Sequence, residues 1–481
     1  MPSFMSYGLV KLKELRMDPS LASVIIPAYN NAAYLGDAIQ SVLGQTHKNI
    51  ELIVVNDASP DNVENVVAGF DDQRLKYIKH ERNRGLSAAR NTGIRASVGE
   101  YIALLDGDDY FHPDKLKAHL DFFEKNSDIS VTYNARFELN HSSETIREIW
   151  RPPLKVDISD LVLGYPFSPS DMVVRRNSMF EAGLFDESLT YFGEDLDINC
   201  KLALIGCKFA SIDHVLNYRR YHSRRVIQNL SSYKEDELRA LTKALTDGRF
   251  PESLRNLHDM AIAKRLLGWS ILAFVQGNTL LGAQYGLEAV QLYPRLLVGE
   301  PNEFLLNILG YCTLDEDQDH EKLIRLIVRQ LPPELLSVAS QSEWAISRGY
   351  LLRGCRAVMW ERSAEGKSHL GSFSRLHGSV DATFIRQLCS QVYSYEREFG
   401  PESADRVIHN LSLSMDEIRQ SEAARLFKGE YFINKAFRKF GGGEYSKVPG
   451  VVLQSLIQNP SHLLNRGVLK ILFNSVVHFL K

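Results

Sequence analysis

The sequence predicts an open, mostly parallel α/β sheet over residues 22–230 and an all-α region over 231–481. Three observations carry this. Short apolar runs start near residues 23, 51, 75 and 101, a spacing of about 25 residues that matches repeated strand–helix–strand units. Clusters rich in Asp and Asn directly follow three of those runs. Beyond residue 231 the strand-like runs stop and apolar residues recur at helical spacing.

The elements follow in order. Residues 23–27 (SVIIP) read as a buried strand, and 34–45 as a helix with Leu35, Ala38, Ile39, Val42 and Leu43 on one face. Residues 51–55 (ELIVV) and 75–78 are further strands, with a helix at 60–68 between them. Residues 87–96 read as a helix, 101–105 (YIALL) as a buried strand, 113–125 as a helix with Pro113 in its first turn, and 129–133 as a strand. The proline-rich residues 134–170 read as a long loop, followed by a strand at 172–174 and a helix near 195–205. In the second half, residues 261–294, 356–384 and 426–460 each offer an apolar helix, a glycine-containing turn and a second helix. These resemble degenerate helix-turn-helix repeats of the tetratricopeptide kind, and fit an irregular helical bundle equally well. Either form offers a surface for a protein partner. In residues 463–481, Leu469, Leu472, Phe473, Val476, Val477 and Leu480 fall on one broad helical face edged by lysines. Such a helix either docks on its neighbours or makes a peripheral membrane contact.

Composition excludes several classes. With 44% hydrophobic and 24% charged residues, the chain is neither disordered nor fibrous. A net charge of −3 argues against a nucleic-acid partner. Cys200, Cys207, Cys312, Cys355 and Cys389 are scattered without a CxxC pair, which fits a reducing, cytoplasmic location. Residues 1–21 read as a tail and not as a signal peptide, because Lys11, Lys13, Glu14 and Arg16 interrupt any apolar stretch. No apolar run is long enough to span a bilayer.

The chemistry concentrates where polar clusters meet strand ends, the place at which open α/β sheets bind ligands. LLDGDDY puts Asp106, Asp108 and Asp109 on one tight turn. Carboxylates so placed need a positive neighbour, and Mg²⁺ or Mn²⁺ completed by substrate phosphates suits them, as does simple solvation. Five motifs then occur in order: VIIPAYN (24–30), VVNDASPDN (54–62), NRGLSAARN (83–91), LLDGDDY (104–110) and GLFDESLTYFGEDLDINCKL (183–202), with YRRYH (218–222) as a sixth. Together they resemble family 2 glycosyltransferases, inverting nucleotide-sugar-dependent enzymes of the GT-A fold, over about residues 22–230.

That resemblance implies roles, many of them in polysaccharide biosynthesis. Pro27, Tyr29 and Asn30 would line the nucleotide pocket, and Asp57 would accept a hydrogen bond from the base, although it also suits a turn or helix cap. Asn83, Gly85 and Arg90 would belong to the nucleotide-sugar site, with Arg90 facing phosphate or neutralising the acidic turn. Asp106 would lie near the ribose, Asp108 on the Mn²⁺ or Mg²⁺ ion, and His222 beside the metal or diphosphate, flanked by Arg219, Arg220, Arg224 and Arg225. Asp195 would be the general base that takes the acceptor hydroxyl's proton, with Glu194 orienting it; both also fit a helix start, where acids are favoured. The donor would be a nucleotide-sugar, UDP by default, the transferred group a hexose, and the acceptor a glycan or a lipid-linked hydroxyl at the cytoplasmic face of a membrane.

Two departures stand out. Leu196 and Lys201 occupy positions where the family commonly has Trp and Arg, so the acceptor is not transferable from relatives. Rivals fare worse: PAYNNAAY stands where a dinucleotide-binding GxGxxG is required, and neither spanning helices nor QxxRW of a processive synthase occur. The remaining alternative is an inactive transferase-like scaffold presenting its helical half to a partner.

Overall fold

The computed structural model describes residues 20–140, 145–221 and 229–479. The first apolar runs become β1 (Ala22–Ala28), β2 (Ile50–Asn56), β3 (Leu75–Lys79) and β4 (Tyr101–Leu104). They alternate with α1 (Ala32–Leu43), α2 (Val63–Ala68) and α3 (Leu86–Ala96). The short β5 (Tyr110–Phe111) and α4 (Lys115–Lys125) precede β6 (Val131–Leu139), β7 (Ile146–Trp150), α5 (Ile158–Leu163) and β8 (Met172–Arg175). The sheet domain closes with α6 (Arg176–Glu181), α7 (Glu194–Leu204) and β9 (Phe209–Arg220).

Every residue of β1, β2 and β4 is buried, because helices cover both faces of a parallel sheet. The pleat sends alternate residues to opposite faces. Val24 and Ile26 meet Leu35, Ala38 and Val42 of α1 on one side. Ile25 meets Ile94 of α3 and the core that includes Leu196 and Leu202 of α7 on the other.

Among the described residues the strands form one sheet in the order β3-β2-β1-β4-β8-β6-β9-β5, with β7 added on β6. The β3-β2-β1-β4 half is parallel, as the 25-residue rhythm requires. The other half departs from that rhythm and makes the sheet mixed: β8 is antiparallel to β4 and β6, and β5 and β7 are antiparallel to β9 and β6. Only β6 and β9 pair in parallel there.

The long loop expected over 134–170 is also corrected. β6 runs on to Leu139, and β7 and α5 occupy much of the remainder. Paired charges disguised the strand. Arg136 is buried against Glu138 and Asp171 at 2.7 and 2.5 Å, and buried Asn134 accepts from the buried Lys115. Polar residues satisfied in this way cost little to bury, yet they erase the hydrophobic signature.

The second half is helical throughout its described residues. It opens with α8 (Leu230–Thr246), α9 (His258–Val275) and α10 (Thr279–Leu292). The three stretches read as helix-turn-helix each contain packed helix pairs: α9 with α10, 342–359 with 363–375, and 421–441 with 448–458. This half seats against the sheet edge. Arg151 reaches Glu398 at 2.5 Å, Arg356 reaches Glu148 at 3.1 Å, and Trp360 lies edge-on to Phe137. No helix among the described residues is long and apolar enough to cross a membrane.

Candidate active site

The carboxyl ends of β1, β2 and β4 deliver three loops to one rim. The first two are pinned together: the Asn30 N–H donates to Ser59 Oγ at 2.7 Å, and the Ala32 N–H donates to Asp61 Oδ2 at 2.7 Å. Asn30 and Ala58 both hold φ near +55°, a strained conformation for side chains other than glycine. Pro27 closes β1 inside the sheet, while Tyr29 and Asn30 are exposed beyond it.

Asp57 is buried at the end of β2 and organises the next loop. Its Oδ1 accepts from the Arg84 N–H at 2.9 Å and lies 2.6 Å from His80 Nδ1; its Oδ2 accepts from the Gly85 N–H at 2.8 Å. Gly85, at φ +89°, turns the chain into α3, and its N–H also points at Asn83 Oδ1, 3.0 Å away. A carboxylate has about four lone-pair directions, so these three contacts leave room for one more donor. His80, which also lies 2.9 Å from Thr92 Oγ1, was not picked out by the sequence: a lone His after a short strand carries no pattern of its own.

The acidic turn follows β4. Ser170 Oγ accepts from the Asp106 N–H at 3.1 Å. Arg220, buried at the end of β9, donates its N–H to Asp109 Oδ1 at 3.1 Å and its side chain to the Asp108 carbonyl at 3.0 Å and to Asp37 at 2.5 Å. Arg220 therefore holds the turn, while the neighbouring, more exposed Arg219 pairs with buried Glu138 at 3.7 Å. His222, Arg224 and Arg225 lie outside the described residues.

Burial pushes the Asp109 carboxyl well above its ordinary value, and the neighbouring charges of Asp108 and Asp106 push it further. No group of three His, Cys, Asp or Glu side chains among the described residues is arranged to hold an ion unaided. Mg²⁺-type ions characteristically take one or two carboxylates and complete their shell with water and substrate phosphate, so a turn that offers Asp108 fits such an ion as a partial ligand set.

Arg90 joins this turn to the other side of the cleft. It is buried on α3, donating to Asp106 Oδ1 at 2.8 Å and to Glu194 Oε1 at 2.9 Å, with its guanidinium 5.2 Å from the Phe185 ring centre. The next residue, Asn91, is equally committed. It exchanges hydrogen bonds with the Phe185 backbone at 3.0 and 2.9 Å and donates to Glu187. Adjacent residues of one helix thus fix the acidic turn and the 185–194 segment together.

Asp195 begins α7 beside Glu194, its Oδ1 accepting from the Leu196 N–H at 2.8 Å. Burial raises its pKa to about 7; the charge of Glu194 adds to the rise, Arg90 opposes it, and Glu237 contributes a further increment. An acid tuned to the working pH is suited to general-base work. Leu196, in place of an aromatic, turns into the core.

Helix α8 of the second half closes over this segment. Gly193, at φ +89°, permits the approach: a Cβ there would stand 3.0 Å from the Glu237 Cα. Asp236 accepts from the Tyr191 N–H at 2.9 Å, and Arg239 donates to the Ser188 carbonyl at 2.7 Å. Buried Glu237 accepts from Tyr165 Oη and Trp269 Nε1, each at 2.5 Å, and pairs with Arg265. The sequence offered no sign of this, because α8 begins at Leu230, well beyond the end of α7 at Leu204 and in an unrelated pattern. Glu237→Gln removes a negative charge near Asp195, so the acid limb of the pH–rate profile is expected to move to lower pH by a fraction of a unit; an unmoved limb would deny the coupling.

Known proteins similar to this chain are glycosyltransferases. The sequence profile described as Glycosyl transferase family 2 matches residues 23–184. An uncharacterized glycosyltransferase of Rickettsia typhi is 32% identical over 235 residues, covering 46% of this chain and 73% of that protein. The UDP-glucose:α-D-GlcNAc-diphosphoundecaprenol β-1,3-glucosyltransferase of Escherichia coli is 39% identical over 127 residues, 26% of this chain and 50% of that one. Longer rickettsial relatives are spanned over only 28% of their length. Among solved structures, S. aureus TarS residues 1–349 with UDP aligns with a TM-score of 0.44 at 18% identity, over 71% of this chain and 90% of that one. With the ordered motifs on one sheet rim and a relative matched over most of its length, the chain belongs to glycosyl transferase family 2.

Proposed function

We propose that this protein transfers a hexose from a nucleotide-sugar to an acceptor hydroxyl, with inversion at the anomeric carbon. The observation that carries this reading is the two-armed grip of Arg90 on Asp106 and Glu194, which holds a donor-side acid and the acceptor-side acidic pair in one cleft. Asp57, with one acceptor direction still open, reads the base, and Pro27, Tyr29, Asn30, Asn83 and Gly85 form the surrounding pocket. Asp106 faces the ribose. Asp108, with His222, would hold a Mn²⁺ or Mg²⁺ ion, which supplies charge neutralisation for the diphosphate leaving group.

Asp195 takes the proton from the acceptor hydroxyl. The freed oxygen forms its bond to the anomeric carbon from the face opposite the nucleotide, and the bond from that carbon to the diphosphate oxygen breaks. The nucleoside diphosphate departs with the electron pair. Glu194, tied to Arg90, keeps Asp195 oriented, and α8 shapes the acceptor side behind it.

The Escherichia coli relative uses UDP-glucose and a lipid-linked acceptor, which makes both the first candidates here. Titration calorimetry with UDP-, GDP- and dTDP-sugars in the presence of Mn²⁺ tests the reading. We expect one donor class to bind and to be turned over when extract lipids or glycans are supplied. A chain that binds none of them is a scaffold, and the proposal falls. Asp57→Asn is expected to weaken donor binding about tenfold, since it removes one charged acceptor from a buried network. Unchanged affinity would take Asp57 out of the nucleotide site.

A further inference from the structure

We infer that the carboxyl-terminal tip of the helical half is a membrane-docking surface for anionic lipid, independent of the transfer site. The helix Val448–Gln458, the 3₁₀ turn Pro460–Leu464 and the helix Arg466–Phe479 pack on one another. The two helices each give one apolar set to the interior: Val448 and Val452 from the first, and Val468 and Ile471 from the second, join Ile433 and Ala436 in a small core. That accounts for only part of their apolar residues. A second set stands in solvent: Leu453 at 60% exposure, Ile457 at 66%, Leu464 at 85% and Phe473 at 69%, with Leu463 and Leu469 near half. On the final helix, Leu469 and Phe473 lie one turn apart, at about 100–160° around the axis from buried Val468 and Ile471. The single broad apolar face read from the sequence is thus two faces, one used and one open.

Isolated exposed leucines are ordinary, but several on three mutually packed segments mark an interaction surface. The charge pattern selects the occupant. Residues 445–479 contain no Asp or Glu, in a chain that carries 59 of them, and the exposed cations Arg466 and Lys470 lie among the open apolar positions. An apolar stripe edged by cations, which Glu430 and Glu444 of the preceding segments reach where they pair with His462 and Lys447, matches an anionic bilayer, where Leu and Phe enter the acyl boundary while Arg and Lys meet headgroup phosphates. Paired with its own copy about a two-fold axis, the same patch would instead set the exposed cations Arg466 and Lys470 against like charges.

The test is flotation of the full chain on vesicles. Phosphatidylcholine vesicles containing phosphatidylglycerol are expected to carry it up the gradient with about tenfold higher affinity than pure phosphatidylcholine, with the advantage lost in high salt. The variant Leu464→Glu/Phe473→Glu should remain at the bottom with an unchanged melting curve. Should that variant prove unstable, Arg466→Ser/Lys470→Ser leaves the apolar face intact and should lose only the preference for anionic lipid. Flotation of the Glu variant equal to the parent, or equal binding to both vesicle types, overturns the inference. So does a concentration-dependent dimer in sedimentation that the Glu variant disperses, because the face then belongs to a second copy. None of these readouts depends on sugar transfer.

Discussion

Asp195→Asn is expected to lower the transfer rate by about 10³-fold while leaving donor affinity within a factor of two or so, since a positioned general base contributes 10² to 10⁴ and touches only the acceptor. The parent's pH–rate profile should show an acid limb centred near 7, where burial and Glu194 place the Asp195 carboxyl. The base acts only when ionised, so activity rises through that pH. Stability should run the other way. In the folded state Asp195 holds its proton up to about pH 7, but in the unfolded chain it releases it near the ordinary carboxylate value. Folding is therefore favoured at low pH by this group, and the advantage is lost as pH rises toward 7. At pH 8 the Asn variant should melt no lower than the parent, and a modest rise is expected. Loss of activity without loss of stability separates chemistry from unfolding. A variant that keeps half the parental rate would remove Asp195 from the base role.

Arg90→Gln is expected to damage both stability and activity. The guanidinium is buried and pairs with both Asp106 and Glu194. Breaking a buried pair by removing one partner costs about 3–5 kcal/mol, and the lower end applies here because Asp106 is 33% exposed. The urea midpoint should fall accordingly. Donor affinity and turnover should fall together, since the acidic turn and the Glu194–Asp195 pair lose their common anchor. Arg90→Lys restores charge without the two-armed geometry, so it should recover much of the stability and little of the turnover. A fully active Lys variant would show that charge alone suffices. Full activity in the Gln variant would remove Arg90 from the site altogether.

What was legible in the residues divides along physical lines. β1, β2 and β4 were readable because strands buried on both faces must be continuously apolar, and SVIIP, ELIVV and YIALL are. β6 past Tyr133 and β9 were not, because Arg136, Asn134 and Asn217 are buried polar residues whose partners come from elsewhere in the fold. The three helix pairs of the second half were legible from local apolar spacing, but the contact of α8 with Gly193 was not, since it depends on how two distant helices meet.

The same division holds at the site. Residue identity and order settle which chemical groups are available: acids at the ends of β2 and β4, an arginine in NRGLSAARN, and an acidic pair opening α7, because side-chain chemistry and strand-end position are local properties. Packing decided that Arg90 spans Asp106 and Glu194, that Asp57 leans on His80, that Arg220 braces the acidic turn, and that burial, with Glu194 and in smaller part Glu237, raises the pKa of Asp195. Electrostatic coupling acts through a few ångströms of space in a dry interior, and distance in space is set by packing, not by position along the chain.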